Sequence, residues 1–169
     1  MNLRFYVKRG VGGESRRGVV FIREIVPRRA IAFVARTLYG EPYVRTNMWS
    51  GTDEQHVHYT FSVPPHHKGL NSLRVKIGAS LGLPKPGSLA EFITEHYWGY
   101  TRRSATRTDE YRVEHPPWEL YGVWSPKIHV SFGTWYGHEF RHLHGAEPHS
   151  VLLAEGSEIS VYKGSRISL

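Results

Sequence analysis

Segments with the composition and periodicity of β-strands recur along most of this 169-residue chain, whereas helical segments are few and short. Residues 17–26 are rich in β-branched and aromatic side chains, which is typical of a mostly buried strand. Residues 56–63 and 71–77 alternate in residue type and predict two more strands, joined by a turn at residues 64–69. The chain is therefore expected to adopt an α+β, sheet-dominated or barrel fold. Further strands are predicted near 2–7, 43–48, 97–103, 110–114 and 118–124, with a C-terminal hairpin of 150–154 and 158–162.

Three short helices are predicted between these strands. Apolar residues recur at helical spacing after Pro27, and Gly40 is expected to end that helix. Ser88 and Glu91 form a capping box, in which the serine caps a helix start and the glutamate reaches back. That second helix is expected to run to about residue 96, and a third is expected at residues 135–143.

Composition excludes several classes of protein. No apolar run approaches the roughly 18–20 residues of a membrane helix, and the absence of cysteine excludes disulfide and thiol chemistry. The net charge of +7 comes from scattered basic residues without a long basic run or a nucleic-acid motif. We therefore predict a solvated basic surface and a cytoplasmic protein that binds neither membranes nor specific nucleic acid; a nucleic-acid-binding function would rest on charge alone.

Four segments, in order along the chain, resemble one family. They are residues 35–45 (ARTLYGEPYVR), 88–100 (SLAEFITEHYWGY), 115–118 (HPPW) and 152–164 (LLAEGSEISVYKG). Together they resemble the uncharacterised YqjF-like family, a branch of the acetoacetate decarboxylase-like superfamily. The resemblance implies that superfamily's curved β-barrel with a few flanking helices, in which the barrel encloses a small-molecule pocket.

The resemblance also bears on the start of the chain. Family members usually carry an N-terminal portion before the strand that resembles residues 2–7. An active-site glutamate and arginine of the acetoacetate decarboxylases come from that part of the domain, so neither can be assigned here. We therefore expect a single acetoacetate decarboxylase-like domain over residues 1–169 that lacks this portion, with a coding frame or close homologue that extends upstream of Met1.

The segment around Tyr43 replaces a catalytic lysine pair. In acetoacetate decarboxylases a Gly-Phe-Pro-Lys-Lys segment provides one lysine that forms a Schiff base and a second that lowers its pKa. Matching Gly40 and Pro42 places Tyr43 and Val44 on the lysine positions, and neither can form an imine. Tyr43 and Arg45 share one face of the strand and suit a carboxylate or carbonyl oxygen. The alternative is that Tyr43 packs and Arg45 pairs with an acid.

Two further groups of residues could line a pocket. Glu95, Tyr97 and Tyr100 place a carboxylate beside two phenols, which could shuttle a proton; the alternative is a surface carboxylate and two tyrosines in the barrel wall. His115 and Trp118 flank two prolines that fix the backbone, and Trp118 could form a pocket wall. The alternative there is a rigid turn with a core tryptophan.

His138, Glu139 and His142 match the zinc metalloprotease pattern, in which two histidines share one helix face and a glutamate acts as general base. The third histidine of the longer pattern would fall on Pro148, and His149 stands one position too late. Because the chain has 11 histidines, a chance match is not rare. We favour a surface helix rich in histidine that could bind adventitious zinc, and keep a zinc-dependent hydrolase as the alternative function.

The sequence thus predicts a small-molecule-binding protein that holds a small organic acid or an aromatic compound in a barrel pocket. We expect no cofactor and no Schiff-base decarboxylase chemistry, and an anionic ligand is one candidate. Homo-oligomerisation and catalysis stay open. The predicted ligand contacts are Glu41, Tyr43, Arg45, Glu95, Tyr97, Tyr100, His115 and Trp118.

Overall fold

The computed structural model describes residues 1–63 and 69–168, apart from the side chains of residues 38, 39 and 168. The turn predicted at residues 64–69 lies outside the described residues except for its last position. The chain divides into two compact units. Unit 1 comprises Met1–Val44, Lys85–Pro117 and Gly156–Leu169, and unit 2 comprises Arg45–Pro84 and Trp118–Glu155.

Strands dominate the described part of the chain, as predicted from the recurring strand patterns. In chain order they are β1 (Asn2–Val11), β2 (Glu14–Val26), β3 (Tyr43–Arg45), β4 (Met48–Thr52), β5 (His56–Ser62), β6 (Leu70–Gly82), β7 (Trp98–Arg102), β8 (Arg107–Glu114), β9 (Leu120–His129), β10 (Leu153–Ala154), β11 (Ser160–Val161) and β12 (Ser165–Ser168). The α-helices are α1 (Arg29–Val34), α2 (Leu89–Thr94) and α3 (Phe132–Tyr136). None of the helices described is long and apolar enough to span a bilayer.

Unit 1 is built on a sheet in the order β1-β2-β7-β8-β11, in which β3 also pairs with β2 and β12 with β8. The β2–β7 pair is parallel, and the β1–β2 and β7–β8 pairs are antiparallel. Val19 and Ile25 of β2 are buried, as the run of β-branched residues predicted. Tyr100 of β7 and Tyr111 of β8 are buried as well, so this core contains phenol groups.

The two helical segments of unit 1 follow their predicted signals. Helix α1 continues as a π-helical segment, Ala35–Tyr39, and ends at Gly40, whose φ of 64° is left-handed. At the start of α2 the Ser88 hydroxyl accepts a hydrogen bond from the Glu91 N–H at 3.1 Å. The Glu91 carboxylate in turn accepts from the Gly87 N–H at 2.8 Å, which stabilises the helix start.

Unit 2 contains an antiparallel sheet in the order β10-β9-β6-β5-β4. Its core includes Phe61 of β5 and Trp135 of α3, whose ring centroids are 5.9 Å apart. The third predicted helix is wrong as a single element. Helix α3 ends before Gly137, whose φ is 117°, and a separate 3-10 helix follows at His138–Leu143.

The predicted C-terminal hairpin is also wrong. Strand β10 pairs with β9 in unit 2, whereas β11 pairs with β8 in unit 1. The Glu155 N–H donates to the Glu119 carbonyl at 2.9 Å, which continues the β10–β9 pairing instead of turning the chain back. Local pattern alone identified two strand segments here but did not identify their partners.

Candidate functional site

Two glutamates with little solvent exposure lie close together in unit 1. Glu24 on β2 is 8% exposed, and Glu41, just before β3, is 5% exposed. The backbone holds the two segments together, because the Glu24 N–H donates to the Pro42 carbonyl at 3.1 Å. The Glu41 N–H donates to the Ala35 carbonyl at 3.1 Å, which fixes the start of the segment after Gly40. Backbone hydrogen bonds therefore hold both carboxyl groups in buried positions, where the loss of hydration costs free energy.

Each glutamate is hydrogen-bonded to a tyrosine. The Tyr43 phenol donates to the Glu24 carboxyl group, and the Tyr111 phenol donates to that of Glu41. The Thr101 hydroxyl also donates to Glu41. We call these five residues, Glu24, Glu41, Tyr43, Thr101 and Tyr111, the carboxyl–phenol cluster.

Burial raises the pKa values of the two carboxyl groups and the two phenols of the cluster. It raises the pKa of Glu24, and the charge of Glu41 raises that pKa further, against the opposing effect of the Tyr43 hydrogen bond. Burial likewise raises the pKa of Glu41, against the hydrogen bonds from Thr101 and Tyr111. The pKa values of both phenols rise mainly because they are buried, with a further contribution from the glutamates. The carboxyl groups therefore retain protons to a higher pH than exposed glutamates do.

Gly99 makes room for the cluster in the β7–β8 ladder. It stands directly opposite Tyr111, and a side chain at position 99 would overlap the tyrosine ring. Thr101 lies two residues further along β7 and therefore on the same face of the strand. A bare backbone at Gly99 thus lets the Tyr111 ring cross β7 and its phenol reach Glu41.

The structure places two predicted ligand contacts in this cluster, Glu41 and Tyr43. Arg45 at the end of β3 is exposed, and Trp118 is half-buried; both belong to unit 2. The roles of all four as ligand contacts stay predictions.

The predicted group of Glu95, Tyr97 and Tyr100 is divided between two carboxylates. The Tyr97 phenol donates to Glu95, and burial followed by this hydrogen bond raises the pKa of Tyr97 to about 12. Tyr100 instead lies beside Glu110, and burial together with that carboxylate raises its pKa to about 12. The structure therefore provides two separate phenol–carboxylate pairs instead of one shuttle of three residues.

His115, another predicted contact, lies beside Tyr97. The two ring centroids are 5.1 Å apart, and the His115 Nδ1 is 2.9 Å from the Pro116 carbonyl oxygen. Because a carbonyl oxygen can only accept, Nδ1 is the ring nitrogen that carries a proton in this arrangement. The Glu95–Tyr97–His115 group is thus a second polar group of unit 1, and its role in ligand binding stays a prediction.

A buried histidine next to this group was not predicted from the sequence. His96 is 8% exposed and packs against the rings of both Tyr6 and Phe92, with centroid distances of 4.6 Å and 5.0 Å. Burial, followed by the charge of Arg4, lowers the pKa of His96 to about 4. The imidazole is therefore neutral at physiological pH.

The cluster also contains residues that sequence reasoning missed, namely Glu24, Thr101 and Tyr111. Glu24 could have been found, since a carboxylate inside the predicted buried strand 17–26 needs a partner. Thr101 and Tyr111 carried no such signal, because their contacts with Glu41 depend on β2, which pairs with both β3 and β7 and so joins distant segments of the chain.

The zinc-site pattern lies in unit 2 on the 3-10 helix His138–Leu143. A 3-10 helix has about three residues per turn, so His138 and His142 do not lie on one face as they would in an α-helix. The His142 Nδ1 is 2.8 Å from the Glu139 carbonyl oxygen, to which it donates. Among the described residues no group of three or more histidines or carboxylates is arranged to hold a metal ion. Nothing in this geometry supports the zinc hydrolase alternative.

Comparison with known proteins identifies a family without an assigned function. The model of DUF2071, described as an uncharacterized conserved protein (COG2071), matches residues 1–158. No curated protein matches the chain. The match confirms the YqjF-like family indicated by the four sequence segments.

Proposed function

This chain belongs to the DUF2071 family, and we propose that it is a small-molecule-binding protein whose ligand contacts the carboxyl–phenol cluster through a carboxylate or carbonyl oxygen. The observation that carries the proposal is the pair of buried glutamates, Glu24 and Glu41, each hydrogen-bonded to a tyrosine and each with a raised pKa. Perturbed carboxyl groups of this kind mark candidate functional sites.

The protonation state of the cluster determines which ligands suit it. A protonated carboxyl group donates one hydrogen bond, whereas a carboxylate only accepts. Because their pKa values are raised, Glu24 and Glu41 can offer protons to an oxygen acceptor at a pH where exposed glutamates cannot. This supports a small organic acid or a carbonyl compound as the ligand, and it supports proton exchange with that ligand.

The energetic cost of the cluster supports a functional role over a purely structural one. Burying two interacting carboxyl groups costs free energy that apolar residues of similar volume would not. Tyr43 is only half-buried, in contrast with Glu24 and Glu41. We therefore place the approach of the ligand past the Tyr43 ring.

The proposed function does not involve a Schiff base. Tyr43 and Val44 stand on the two positions that the superfamily resemblance assigns to the lysine pair, and the Tyr43 phenol is hydrogen-bonded to Glu24. Borohydride reduction in the presence of acetoacetate should leave the mass of the protein unchanged. A covalent adduct on any lysine would contradict this part of the proposal.

The binding proposal is tested by carbon-13 NMR of the glutamate side-chain carboxyl groups. Acetate, acetoacetate and benzoate are titrated separately at constant pH and ionic strength. Glu24→Gln and Glu41→Gln assign the two resonances. We expect at least one of the three acids to shift both resonances saturably, because the protonated carboxyl groups donate to the added oxygen acceptor.

The matched control for this titration is Glu14→Gln, which removes a carboxylate from the exposed start of the same strand, β2. Binding should be weakened in Glu41→Gln and unchanged in Glu14→Gln. The proposal is wrong if none of the three acids shifts Glu24 or Glu41 at millimolar concentration, or if Glu14→Gln weakens binding as much as Glu41→Gln.

A further inference from the structure

We propose that unit 2 carries its own binding site for a phosphate group, in a cavity beside Arg141. The cavity has a volume of about 440 Å³, which lies within the range of roughly 300–1,000 Å³ typical of small-molecule sites. Its polar lining comes from two hydroxyls, two imidazoles and one guanidinium, those of Ser131, Thr134, His138, His144 and Arg141. This proposal is independent of the proposed function, because it uses none of the residues of the carboxyl–phenol cluster.

The charge of the lining favours an anion. Arg141 is exposed and has no ion-pair partner among the described residues, and no acidic residue lines the cavity. A guanidinium presents several N–H donors in a planar fork that matches phosphate and carboxylate oxygens. The hydroxyls of Ser131 and Thr134 add further donors. A guanidinium and two hydroxyls together supply enough donors for the three terminal oxygens of a phosphate group, which is more than the two oxygens of a carboxylate require.

The segment that holds the hydroxyls is fixed by the core of unit 2. The Ser131 N–H donates to the Asn71 Oδ1 at 2.8 Å, and Asn71 is fully buried. Trp135, one turn further along, is 2% exposed and packs against Phe61. The cavity wall that carries Ser131 and Thr134 is therefore pre-formed, which reduces the entropic cost of binding.

The rest of the lining, Arg141 and His144, is positioned by close packing and a hydrogen bond. A Cβ atom at Gly133 would lie 3.2 Å from the Arg141 Cβ, so the glycine allows α3 and the 3-10 helix to approach each other. The His144 Nδ1 is 3.0 Å from the Val130 carbonyl oxygen, to which it donates, and this hydrogen bond orients the ring. Arg141 and His144 are thus held in place by contacts that leave the guanidinium available to a ligand.

The size of the cavity indicates that the phosphate belongs to a small organic molecule. A volume of about 440 Å³ exceeds what one phosphate group fills, and Phe132 adds an apolar wall. A phosphate monoester with a small apolar group therefore fits this lining better than inorganic phosphate does. Inorganic phosphate lacks the apolar group, and benzoate has a carboxylate in place of the phosphate group. Their affinities, compared with that of phenyl phosphate, therefore show how much each group contributes to binding.

The test is a nitrogen-15 NMR titration of the full chain with phenyl phosphate, inorganic phosphate and benzoate at one ionic strength. We expect saturable shifts at the amides of Ser131, Thr134 and Arg141, with phenyl phosphate bound most tightly. Arg141→Gln should weaken phenyl phosphate binding by about tenfold or more, the loss expected when a charged hydrogen bond is removed. Arg141→Lys should bind phenyl phosphate more tightly than Arg141→Gln does, because it keeps the positive charge.

The matched control is Arg74→Gln, which removes another exposed arginine of unit 2 that does not line the cavity. Gly133→Ala provides a second variant, because its added methyl group would crowd the Arg141 Cβ at 3.2 Å without removing the charge of Arg141. Equal losses in Arg141→Gln and Arg74→Gln would show non-specific attraction and overturn the proposal. It would also be overturned by benzoate binding more tightly than phenyl phosphate, or by the absence of saturable shifts at the cavity.

Discussion

The two units differ in where they place their charged groups. In unit 1, Glu24 and Glu41 are buried, interact with each other and are hydrogen-bonded to tyrosines. In unit 2, Arg141 is exposed beside a cavity and makes no ion pair among the described residues. A buried charged group couples ligand binding to proton occupancy and to folding, whereas an exposed one can bind a ligand with little effect on stability.

Because of this difference, substitutions in the two units should affect different properties of the protein. Changes in the carboxyl–phenol cluster should alter stability and its dependence on pH, because the carboxyl groups titrate differently in the folded and unfolded chain. Changes at Arg141 should alter ligand affinity alone.

Gly99→Ala should destabilise the protein by about 3 kcal/mol or more. The added methyl group would overlap the Tyr111 ring, and displacing that ring removes a hydrogen bond from buried Glu41. Urea denaturation at neutral pH measures the change in the free energy of unfolding.

The control for this substitution is Gly10→Ala in β1, because a Cβ atom there would meet nothing within 4 Å. It should change stability by less than about 0.5 kcal/mol. If both variants were equally stable, Tyr111 would not depend on the bare backbone of Gly99, and the packing described for the cluster would be incorrect.

Tyr111→Phe should have a smaller effect, a loss of about 1–2 kcal/mol, since it keeps the ring and removes only the phenol hydrogen bond to Glu41. Tyr162→Phe is the matched control, because its phenol bonds the Glu114 carboxylate at 2.6 Å on the surface. Water can replace that partner, so little stability should be lost. Equal losses measured in urea would mean that burial adds nothing to the Tyr111–Glu41 hydrogen bond.

The fold could be predicted from the sequence wherever a local pattern determines the structure. The β-branched run of residues 17–26 identified β2, and Gly40 identified the end of the first helical segment. Partner choice was not predictable in this way, as the separate pairings of β10 and β11 show. The break at Gly137 was also missed, because helical spacing continues across it.

The candidate site was predictable only in part for a related reason. Comparison with the decarboxylase motif singled out Tyr43, and Glu41 was among the further predicted contacts. Both lie in the cluster, although their binding roles stay predictions. Tyr111 could not have been found, since its contact with Glu41 depends on Gly99 and on β2, which pairs with both β3 and β7. A contact set by distant strand pairing has no local signature in one sequence.

Glu41→Gln should change how stability depends on pH. Burial raises the pKa of Glu41 above its ordinary value of 4.5, so above about pH 4.5 the unfolded chain loses this proton before the folded chain does. The stabilising contribution of Glu41 is therefore complete below pH 4.5 and is lost as the pH rises through the raised pKa. The wild type should lose stability relative to Glu41→Gln over that window.

Denaturation of both proteins at a series of pH values measures this difference. The lowered pKa of His96 contributes the opposite slope between about 4 and 6.5, but both proteins contain His96, so its effect cancels. Glu14→Gln controls for the loss of a carboxyl group outside the cluster. A stability difference that grows in favour of the wild type as pH rises would contradict the raised pKa.

Arg141→Gln should leave stability unchanged to within about 0.5 kcal/mol, because Arg141 is exposed and, within the described part of the chain, forms no ion pair. Arg16→Gln in unit 1 is the comparison: its guanidinium bonds the buried Glu110 carboxylate at 2.7 Å and lies 4.2 Å from the centre of the Trp98 ring. Removing the Arg16 guanidinium should cost about 1 kcal/mol or more, because the buried Glu110 carboxylate loses a charged hydrogen bond. The loss should stay moderate, because Arg9 remains as an ion-pair partner of Glu110 among the described residues. Urea denaturation of both variants measures the contrast. An equal loss in Arg141→Gln would show that Arg141 supports the fold of unit 2. Charged groups would then contribute to stability in both units, and the contrast drawn between the two units would no longer hold.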